Sequence, residues 1–142
     1  MPGEGNPNIT PEFFRERIAG TFPDDLGVEL VRIDEGEVEG RLTVEERHLH
    51  ARGSVHGGVW VGFADTVAAW GALRNLPEGY DFGTVELKTN VFGAARLGDV
   101  LTAVGRPLHV GRRTHAWEVR VYKGERLAAL FVCTQVILAP DA

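Results

Sequence analysis

The chain has 142 residues, of which 44% are hydrophobic and 25% charged, and its formal net charge is -5. This length and composition fit one globular domain, and the negative charge disfavours nucleic-acid binding, which depends on clustered lysine and arginine. The single cysteine, Cys133, excludes an intramolecular disulfide or a cysteine-based metal site and favours a reducing, cytoplasmic location. Because no secretory signal and no apolar run of about 18 residues stands out, we expect neither export nor a membrane span.

The N-terminal part of the chain predicts a tail followed by a helix. Residues 1–9 are rich in Gly, Pro and Asn and are expected to be flexible, and residues 10–142 are expected to form one domain. Thr10 is a favourable N-cap and Pro11 a favourable first helical residue, so a helix is predicted from there to about Gly20.

Strands are predicted on both sides of one long apolar segment. Residues 28–33 and 38–44 predict a hairpin, and an irregular loop follows over residues 45–55. Four further strands are predicted between turn signals, over residues 85–91, 100–106, 114–122 and 127–138. Because no crossover helix fits between these four, we expect an antiparallel meander, with the last and most apolar strand in a central position.

The apolar segment itself, residues 57–73 (GGVWVGFADTVAAWGAL), predicts a long helix that is buried all round. A sheet wrapped around this helix would bury it, so the predicted fold class is α+β. Asp65 is the only charged residue of the segment. An ionised carboxylate is costly there unless it is paired, hydrogen-bonded or reached by solvent or a ligand. Asp65 is therefore a candidate catalytic group, and the alternative is a structural carboxylate bonded to a nearby donor.

The start of this helix has the features of a site for a developing negative charge. Gly57 and Gly58 follow His56, and their N–H groups lie at the positive end of the helix dipole without an intrahelical partner. An oxygen that becomes negative during a reaction would be stabilised there, as in an oxyanion hole. The alternative is a plain glycine-rich helix entry.

These features occur in a wider pattern that covers about residues 25–138. Asp65 stands nine positions after His56, and the flanking segments are HARGSVHGG (50–58), TVELK (84–88) and RPLHVGRR (106–113). This pattern resembles the hotdog-fold thioesterases, in particular the phenylacetic-acid-degradation (PaaI-like) group and its relatives acting on 4-hydroxybenzoyl-CoA and 1,4-dihydroxy-2-naphthoyl-CoA. The resemblance implies a hotdog fold, an antiparallel sheet around one central helix, and hydrolysis of an acyl-CoA thioester.

The resemblance also implies roles for individual residues. The N–H of Gly57, with Gly58 beside it, would bind the thioester carbonyl, and Asp65 would either attack that carbonyl or activate water. An aspartate at this position is similar to the PaaI-like group, whereas the other two branches commonly have glutamate. The PLH-x-G-x-R pattern of residues 107–113 is instead similar to the naphthoyl-CoA branch.

Three further site residues are candidates by the same resemblance. His50 stands where the family usually has Asn or Gln to hold the carbonyl; an imidazole N–H can donate the same bond and would make the site pH-sensitive. His56 is expected to fix the Gly57 backbone rather than to transfer a proton, and Thr84 is expected to orient the attacking water. The alternatives are a solvated loop histidine at position 50 and an ordinary strand threonine at position 84.

The substrate is expected to contact basic and aromatic side chains. Candidates to meet the phosphates of coenzyme A, which could instead be merely solvated, are Arg112, Arg113, Lys88 and Arg96. An aryl or medium-chain acyl group is expected, and four aromatic residues could shape its pocket, although core positions are the favoured prediction for them: Trp60, Phe63, Trp70 and Phe92. The remaining histidines are expected to be structural or to lie on the surface: His48, His109 and His115.

Active sites of this family lie at a dimer interface, so the resemblance implies a homodimer in which Gly57 of one subunit faces Asp65 of the partner subunit, and a homotetramer as the expected assembly. Coenzyme A is part of the substrate, and neither a cofactor nor a metal is expected, because the histidines lack carboxylate or cysteine companions at ligand spacing. Two alternatives stay open. One is a noncatalytic acyl-CoA-binding module, which His50 favours; the other is an enoyl-thioester hydratase, which the absence of a proline-rich loop around His56 disfavours.

Overall fold

The computed structural model describes residues 5–141 of the chain. Its elements, in chain order, are α1 (Pro11–Ile18), α2 (Phe22–Leu26), β1 (Glu29–Ile33), β2 (Val38–Thr43), a 3-10 turn (Glu46–His48), α3 (Gly57–Asn75), β3 (Asp81–Val91), β4 (Val100–Val110), β5 (Thr114–Lys123) and β6 (Arg126–Leu138). Every predicted helix and strand is present. Helix α2 and the 3-10 turn are additions to the prediction.

The six strands form one antiparallel sheet in the order β1-β2-β4-β5-β6-β3. Strand β6 was predicted to be central; it lies between β5 and β3, so it is paired on both sides but stands next to the edge of the sheet. The predicted meander is wrong for β3, which pairs with β6 and not with β4, because the other side of β4 is occupied by β2. Strand β3 is therefore an edge strand, at the opposite edge of the sheet from β1.

Helix α3 lies against the inner face of this sheet, and every residue from Val59 to Asn75 is buried or half-buried. Glycines allow the close approach: a Cβ at Gly40 would lie 2.8 Å from Val67 Cγ2, and one at Gly105 would lie 3.1 Å from Val67 Cγ1. The sheet thus wraps around one long helix, which confirms the predicted α+β hotdog fold. No helix within residues 5–141 is long and apolar enough to cross a membrane.

The predicted flexible tail, residues 1–9, falls partly outside the described residues. In its described part, residues 5–9, the chain lies against the domain. Ile9 is 4% exposed, and the Asn6 N–H donates to the Arg74 carbonyl at 3.0 Å. The packed part of the chain therefore begins before residue 10.

Both short helices begin at a threonine closely followed by a proline. Thr10 Oγ1 accepts the Phe13 N–H at 3.1 Å and caps α1, as predicted. Helix α2 was not predicted, although Thr21 and Pro23 provide the same kind of start signal. It ends at Gly27, whose φ of 83° is the left-handed conformation that favours glycine after a helix.

Candidate active site

Helix α3 begins with a free N–H group. His56 is its N-cap: Nδ1 accepts the Gly58 N–H at 2.9 Å, and the carbonyl accepts the Val59 N–H at 2.9 Å. The Gly57 N–H has no acceptor among residues 5–141, and a Cβ at this glycine would meet no atom within 4 Å. Since His56 already uses the Gly58 N–H, Gly57 alone of the two predicted glycines offers a free donor to an oxyanion.

The loop before the helix holds His50 in a tight turn. The His50 N–H donates to the Ser54 carbonyl, and the Gly53 N–H donates back to the His50 carbonyl, both at 2.9 Å. Gly53 has φ of 89°, which this turn requires. The Arg52 N–H donates to His50 Nδ1 at 3.1 Å, so the neutral ring carries its proton on Nε2. The half-buried His50 ring therefore has Nε2–H as the donor it can offer to a ligand.

Asp65 lies two turns further along α3 and is half-buried. Its Oδ1 is buried and makes no hydrogen bond within the described part of the chain. Burial raises the pKa of the Asp65 carboxyl above its ordinary value, because no compensating charge or donor stabilises the ionised form. The predicted alternative, a structural carboxylate bonded to a nearby donor, therefore finds no donor among the described residues. A ligand or water is left as the partner of this oxygen.

Gly57 and Asp65 do not meet within one copy of the chain. Eight residues of α-helix separate them, which is about 12 Å along the helix axis. A thioester carbonyl bound at the Gly57 N–H is therefore out of reach of the Asp65 carboxylate of the same chain.

A β-bulge divides the candidate residues of β3 between the two faces of the sheet. Thr84 pairs with the fully buried Gln135, so it lies on the inner face of the sheet, although Thr84 itself is exposed on this edge strand. The register then shifts between Thr84 and Glu86, so that Lys88 pairs with Val132 on the outer face. Simple alternation would place Thr84 and Lys88 on the same face. The bulge thus puts Thr84 on the Asp65 side of the sheet and Lys88 on the opposite side.

Cys133 lies beneath Asp65, on the inner face of β6. Burial, and after it the nearby charge of Asp65, raises the pKa of the Cys133 thiol to about 12. The side chain is fully buried, so at neutral pH it is a protonated core residue and not a nucleophile.

The basic candidates at the β4–β5 turn lie near the other end of α3. Arg112 lines a cavity of about 110 Å³ together with Asn75, Tyr80 and His115. Neither Arg112 nor Arg113 forms a salt bridge within residues 5–141, and both are exposed. Burial, with the charge of His109 second, lowers the pKa of His115 to about 4, so the imidazole is neutral at physiological pH.

His48 is structural, as predicted. The ring is 2% exposed; Nδ1 accepts the Glu45 N–H at 2.8 Å, and Nε2 donates to the Leu26 carbonyl at 2.7 Å. Both ring nitrogens are therefore occupied, and His48 ties the 3-10 turn to the end of α2.

The three aromatic candidates of α3 belong to the core or pack against it, which is the prediction favoured for them. Trp60 and Phe63 are 2% and 0% exposed and belong to the core, and Trp70 packs edge-on against Phe14 with ring centroids 4.3 Å apart. Phe92 remains exposed in the connection after β3. The sequence prediction missed Phe22 of α2, which is 62% exposed.

Comparisons with known proteins agree with this fold and with the predicted resemblance. The model of the thioesterase superfamily matches residues 52–129. A 1,4-dihydroxy-2-naphthoyl-CoA hydrolase from Listeria monocytogenes is 30% identical over 113 residues, which are 78% of this chain and 90% of the relative. A proofreading thioesterase, EntH, from Cronobacter turicensis is 26% identical over 92% of this chain and 96% of its own length.

Solved structures show the same architecture. The PaaI protein from the phenylacetic acid degradation operon of E. coli has a TM-score of 0.82 at 23% identity, over 91% of this chain and 91% of its own. A thioesterase from Haemophilus influenzae has a TM-score of 0.87 at 24% identity, over 92% of this chain and 91% of its own. At these identities the structural likeness establishes the fold, and the sequence matches establish the family. The chain belongs to the thioesterase superfamily and is a hotdog-fold thioester hydrolase.

Proposed function

We propose that the protein hydrolyses an acyl-coenzyme A to the free acid and coenzyme A, with Asp65 as the catalytic carboxylate. The observation that carries this proposal is the buried Asp65 Oδ1, which has no partner within residues 5–141 on an otherwise apolar helix. Perturbed carboxylates of this kind cluster at active sites. The name of the Listeria monocytogenes relative, a hydrolase of an aryl-CoA, supports an acyl-CoA substrate with an aryl or medium-chain acyl group.

The proposed site is shared between two copies of the chain, with Gly57 of one copy beside Asp65 of the other. The separation of about 12 Å within one copy supports this arrangement. So does β3, an edge strand of eleven residues that leaves Val85, Leu87 and Val91 62%, 42% and 46% exposed. A long edge strand presents unpaired backbone N–H and C=O groups to another chain. The proposal is an obligate homodimer, with a homotetramer of two such dimers as the full assembly.

In this site the thioester carbonyl accepts hydrogen bonds from the Gly57 N–H and from His50 Nε2–H. Both donors are free among the described residues, and His56 holds the helix start that presents Gly57. Donors fixed in advance stabilise the oxyanion that develops when the carbonyl carbon is attacked. Gly58 allows the His56 ring to pack closely against the helix start, because a Cβ at this position would lie 3.2 Å from His56 Nδ1.

Asp65 acts in one of two ways, and both need its ionised form. As a nucleophile, a carboxylate oxygen adds to the carbonyl carbon, the C–S bond breaks with loss of coenzyme A thiolate, and water then hydrolyses the mixed anhydride. As a general base, Asp65 takes a proton from a water that attacks directly. Thr84, on the inner face of the sheet, is the residue proposed to orient that water. Labelled water that enters Asp65 during a single turnover would identify the anhydride route.

Arg112 and Arg113 are the proposed partners of the coenzyme A phosphates, because both are exposed and unpaired among residues 5–141. Lys88 is the weaker candidate, since it lies on the outer face of its own sheet. Coenzyme A enters as part of the substrate, and the proposal requires no cofactor. A reducing cytoplasm is the proposed compartment, consistent with the free thiol of Cys133.

The first test is thiol release from a panel of aryl- and fatty-acyl-CoAs with wild type and Asp65→Ala. We expect turnover by wild type and a loss of about 10²–10⁴-fold in the variant. If wild type binds the esters without turnover, the protein is an acyl-CoA-binding module and the catalytic proposal is wrong.

The second test asks whether the site is shared between copies. Gly57 is the first residue of α3, and His56 has φ of -62° and ψ of 141°, a conformation that a residue before proline adopts readily. Gly57→Pro therefore removes the N–H and keeps the helix start, and Gly57→Ala is the matched control that retains the N–H. Mixed and refolded Gly57→Pro and Asp65→Ala chains should recover about one quarter of wild-type activity, since half the dimers are hybrids with one intact site. No recovery from verified hybrid dimers would mean that each chain holds its own site.

A further inference from the structure

We propose that Phe22 forms an aromatic wall of the acyl-binding site beside Asp65 and gives the enzyme its preference for aryl over short aliphatic acyl groups. This inference rests on the proposed acyl-CoA hydrolysis and names a specificity-determining residue for it. Phe22 lies at the start of α2, outside every motif that carries the family resemblance.

The position of Phe22 follows from its contact with α3. A Cβ built at Gly62 would lie 3.0 Å from Phe22 Cε2 and 3.3 Å from Phe22 Cζ, so the ring rests directly on the helix backbone. Gly62 precedes Asp65 by three residues, and side chains at this spacing have Cβ atoms about 5–6 Å apart on one helix face. The edge of the Phe22 ring is therefore within about 9 Å of the Asp65 Cβ. An acyl group whose carbonyl carbon is at Asp65 can reach it.

The backbone that carries Phe22 is held in place. Leu26, the last residue of α2, is 7% exposed, and its carbonyl accepts a hydrogen bond from the buried His48 ring at 2.7 Å. The Arg47 guanidinium donates to the Asp25 carbonyl. These bonds anchor α2 to the 3-10 turn that leads into the His50 loop. These hydrogen bonds therefore fix the position of Phe22 relative to the His50 loop.

The exposure of Phe22 is not explained by folding. Leu26 is the residue of α2 that enters the core, whereas the Phe22 ring stays 62% exposed. The aromatic residues that are closer to Asp65 in sequence cannot contact an acyl group, because Trp60 and Phe63 are buried and Trp70 is covered by Phe14. An exposed, flat, apolar ring beside a catalytic carboxylate provides an offset-stacked or edge-to-face contact for an aryl group.

The proposed position of the coenzyme A phosphates gives the acyl group a direction along α3. Arg112 lies with Asn75 at the C-terminal end of the helix, where the phosphates of coenzyme A are proposed to bind. From Asp65, the acyl group then extends toward the N-terminal half of α3, in the direction of Gly62 and Phe22. Gly62 itself is covered by the Phe22 and Leu26 side chains, so the acyl group would meet the exposed part of the Phe22 ring and not the helix backbone.

The test compares kcat/KM for benzoyl-CoA and acetyl-CoA in wild type, Phe22→Ala and Phe22→Leu. We expect Phe22→Ala to lower kcat/KM for benzoyl-CoA by about tenfold or more and to change that for acetyl-CoA by less than about twofold. Phe22→Leu, which keeps apolar bulk without the flat ring, should lie in between. Val31→Ala is the matched control, because it removes another exposed apolar side chain, 42% exposed, from the distant strand β1 and should leave the ratio of the two esters unchanged.

Thermal midpoints and sedimentation of each variant accompany the kinetics. An equal fall for both esters, an unchanged value for benzoyl-CoA, or loss of the dimer in Phe22→Ala would overturn the assignment of Phe22 to the acyl site. The ratio of the two esters reports on Phe22 alone. Failure of the proposed hydrolysis has a separate signature, since wild type would then release no thiol from either ester.

Discussion

The side of α3 that faces the sheet and the side that faces away from it differ in how their residues are packed. The side that faces the sheet is close-packed: Phe63 and Val67 are 0% and 1% exposed, and a Cβ at Gly71 would lie 2.6 Å from Trp117 Cζ3. The other side carries the half-buried Gly62, Asp65 and Ala69, and the Asp65 Oδ1 there makes no hydrogen bond within residues 5–141. The first side leaves no space even for a methyl group at Gly71, whereas the second holds a carboxylate whose burial is not compensated by a described donor or cation.

This difference separates residues that stabilise the fold from residues that are proposed to serve the reaction. Close packing without voids contributes stability and tolerates little change. An ionised carboxylate in a partly buried position lowers stability, and such groups persist where function needs them. Mutations on the two sides of α3 should therefore affect activity and stability in opposite ways.

The largest effect is expected from Asp65→Asn, which keeps the shape of the side chain and removes its charge. Because neither attack nor base catalysis is possible with an amide, kcat should fall by about 10²–10⁴-fold in a thiol-release assay. Glu78→Gln, which removes an exposed carboxylate just beyond α3, is the control and should retain wild-type turnover. Near-wild-type kcat in Asp65→Asn would remove Asp65 from the mechanism.

The open side of α3 continues onto β3, so a charge there should disrupt the proposed dimer. Leu87→Lys introduces two charges into a symmetric interface and should weaken the dimer by more than about 100-fold, with a parallel loss of activity at low protein concentration. Sedimentation and activity over a dilution series measure both effects. Val31→Lys on the other edge strand is the matched control. Equal dissociation by the two variants, or by neither, would contradict an interface at β3.

On the packed side, Gly71→Ala should destabilise the fold by about 1–3 kcal/mol, since the new methyl group overlaps the ring of the fully buried Trp117. Urea unfolding measures this loss. Gly57→Ala, in the same helix but with no atom within 4 Å of the new Cβ, is the control for helix propensity and should not be destabilised. A neutral Gly71→Ala would show that this contact can relax.

The smallest expected effect is a gain in stability when the Asp65 carboxylate is removed. Burial raises the pKa of Asp65 in the folded state above its unfolded value, so the folded state binds the proton more tightly, and the ionised form weakens the fold at neutral pH. Asp65→Asn should therefore raise the thermal midpoint at pH 7. The difference should shrink as the pH falls through the folded pKa and vanish near about pH 4, where the unfolded carboxyl titrates. A lower midpoint for Asp65→Asn at pH 7 would mean that the carboxylate has a stabilising partner in the assembled protein.

The sequence predicted correctly those features that depend on interactions between residues close together in the chain. The cap at Thr10, the alternation in β2 and the apolar run of α3 were predicted because capping and side-chain period act within a few residues. Helix α2 was within reach of the same reasoning, since Thr21 and Pro23 repeat the start signal of α1. The position of β3 in the sheet could not be predicted in this way, because it depends on the pairing of β2 with β4, two strands that are distant in sequence.

By itself, the sequence determined that a single charged residue, Asp65, would lie within an apolar helix that begins at a histidine and two glycines. The apolar composition required this helix to be buried, and burial places the Asp65 carboxylate in surroundings of low polarity. Only the tertiary structure decided which groups share a side with Asp65. The bulge at β3 put Thr84 and Lys88 on opposite faces, core packing buried Trp60 and Phe63, and the contact at Gly62 set Phe22 against α3 three residues before Asp65. The physical reason is that register, packing and close approach are set by partners from elsewhere in the chain, and each helix or strand alone allows several arrangements.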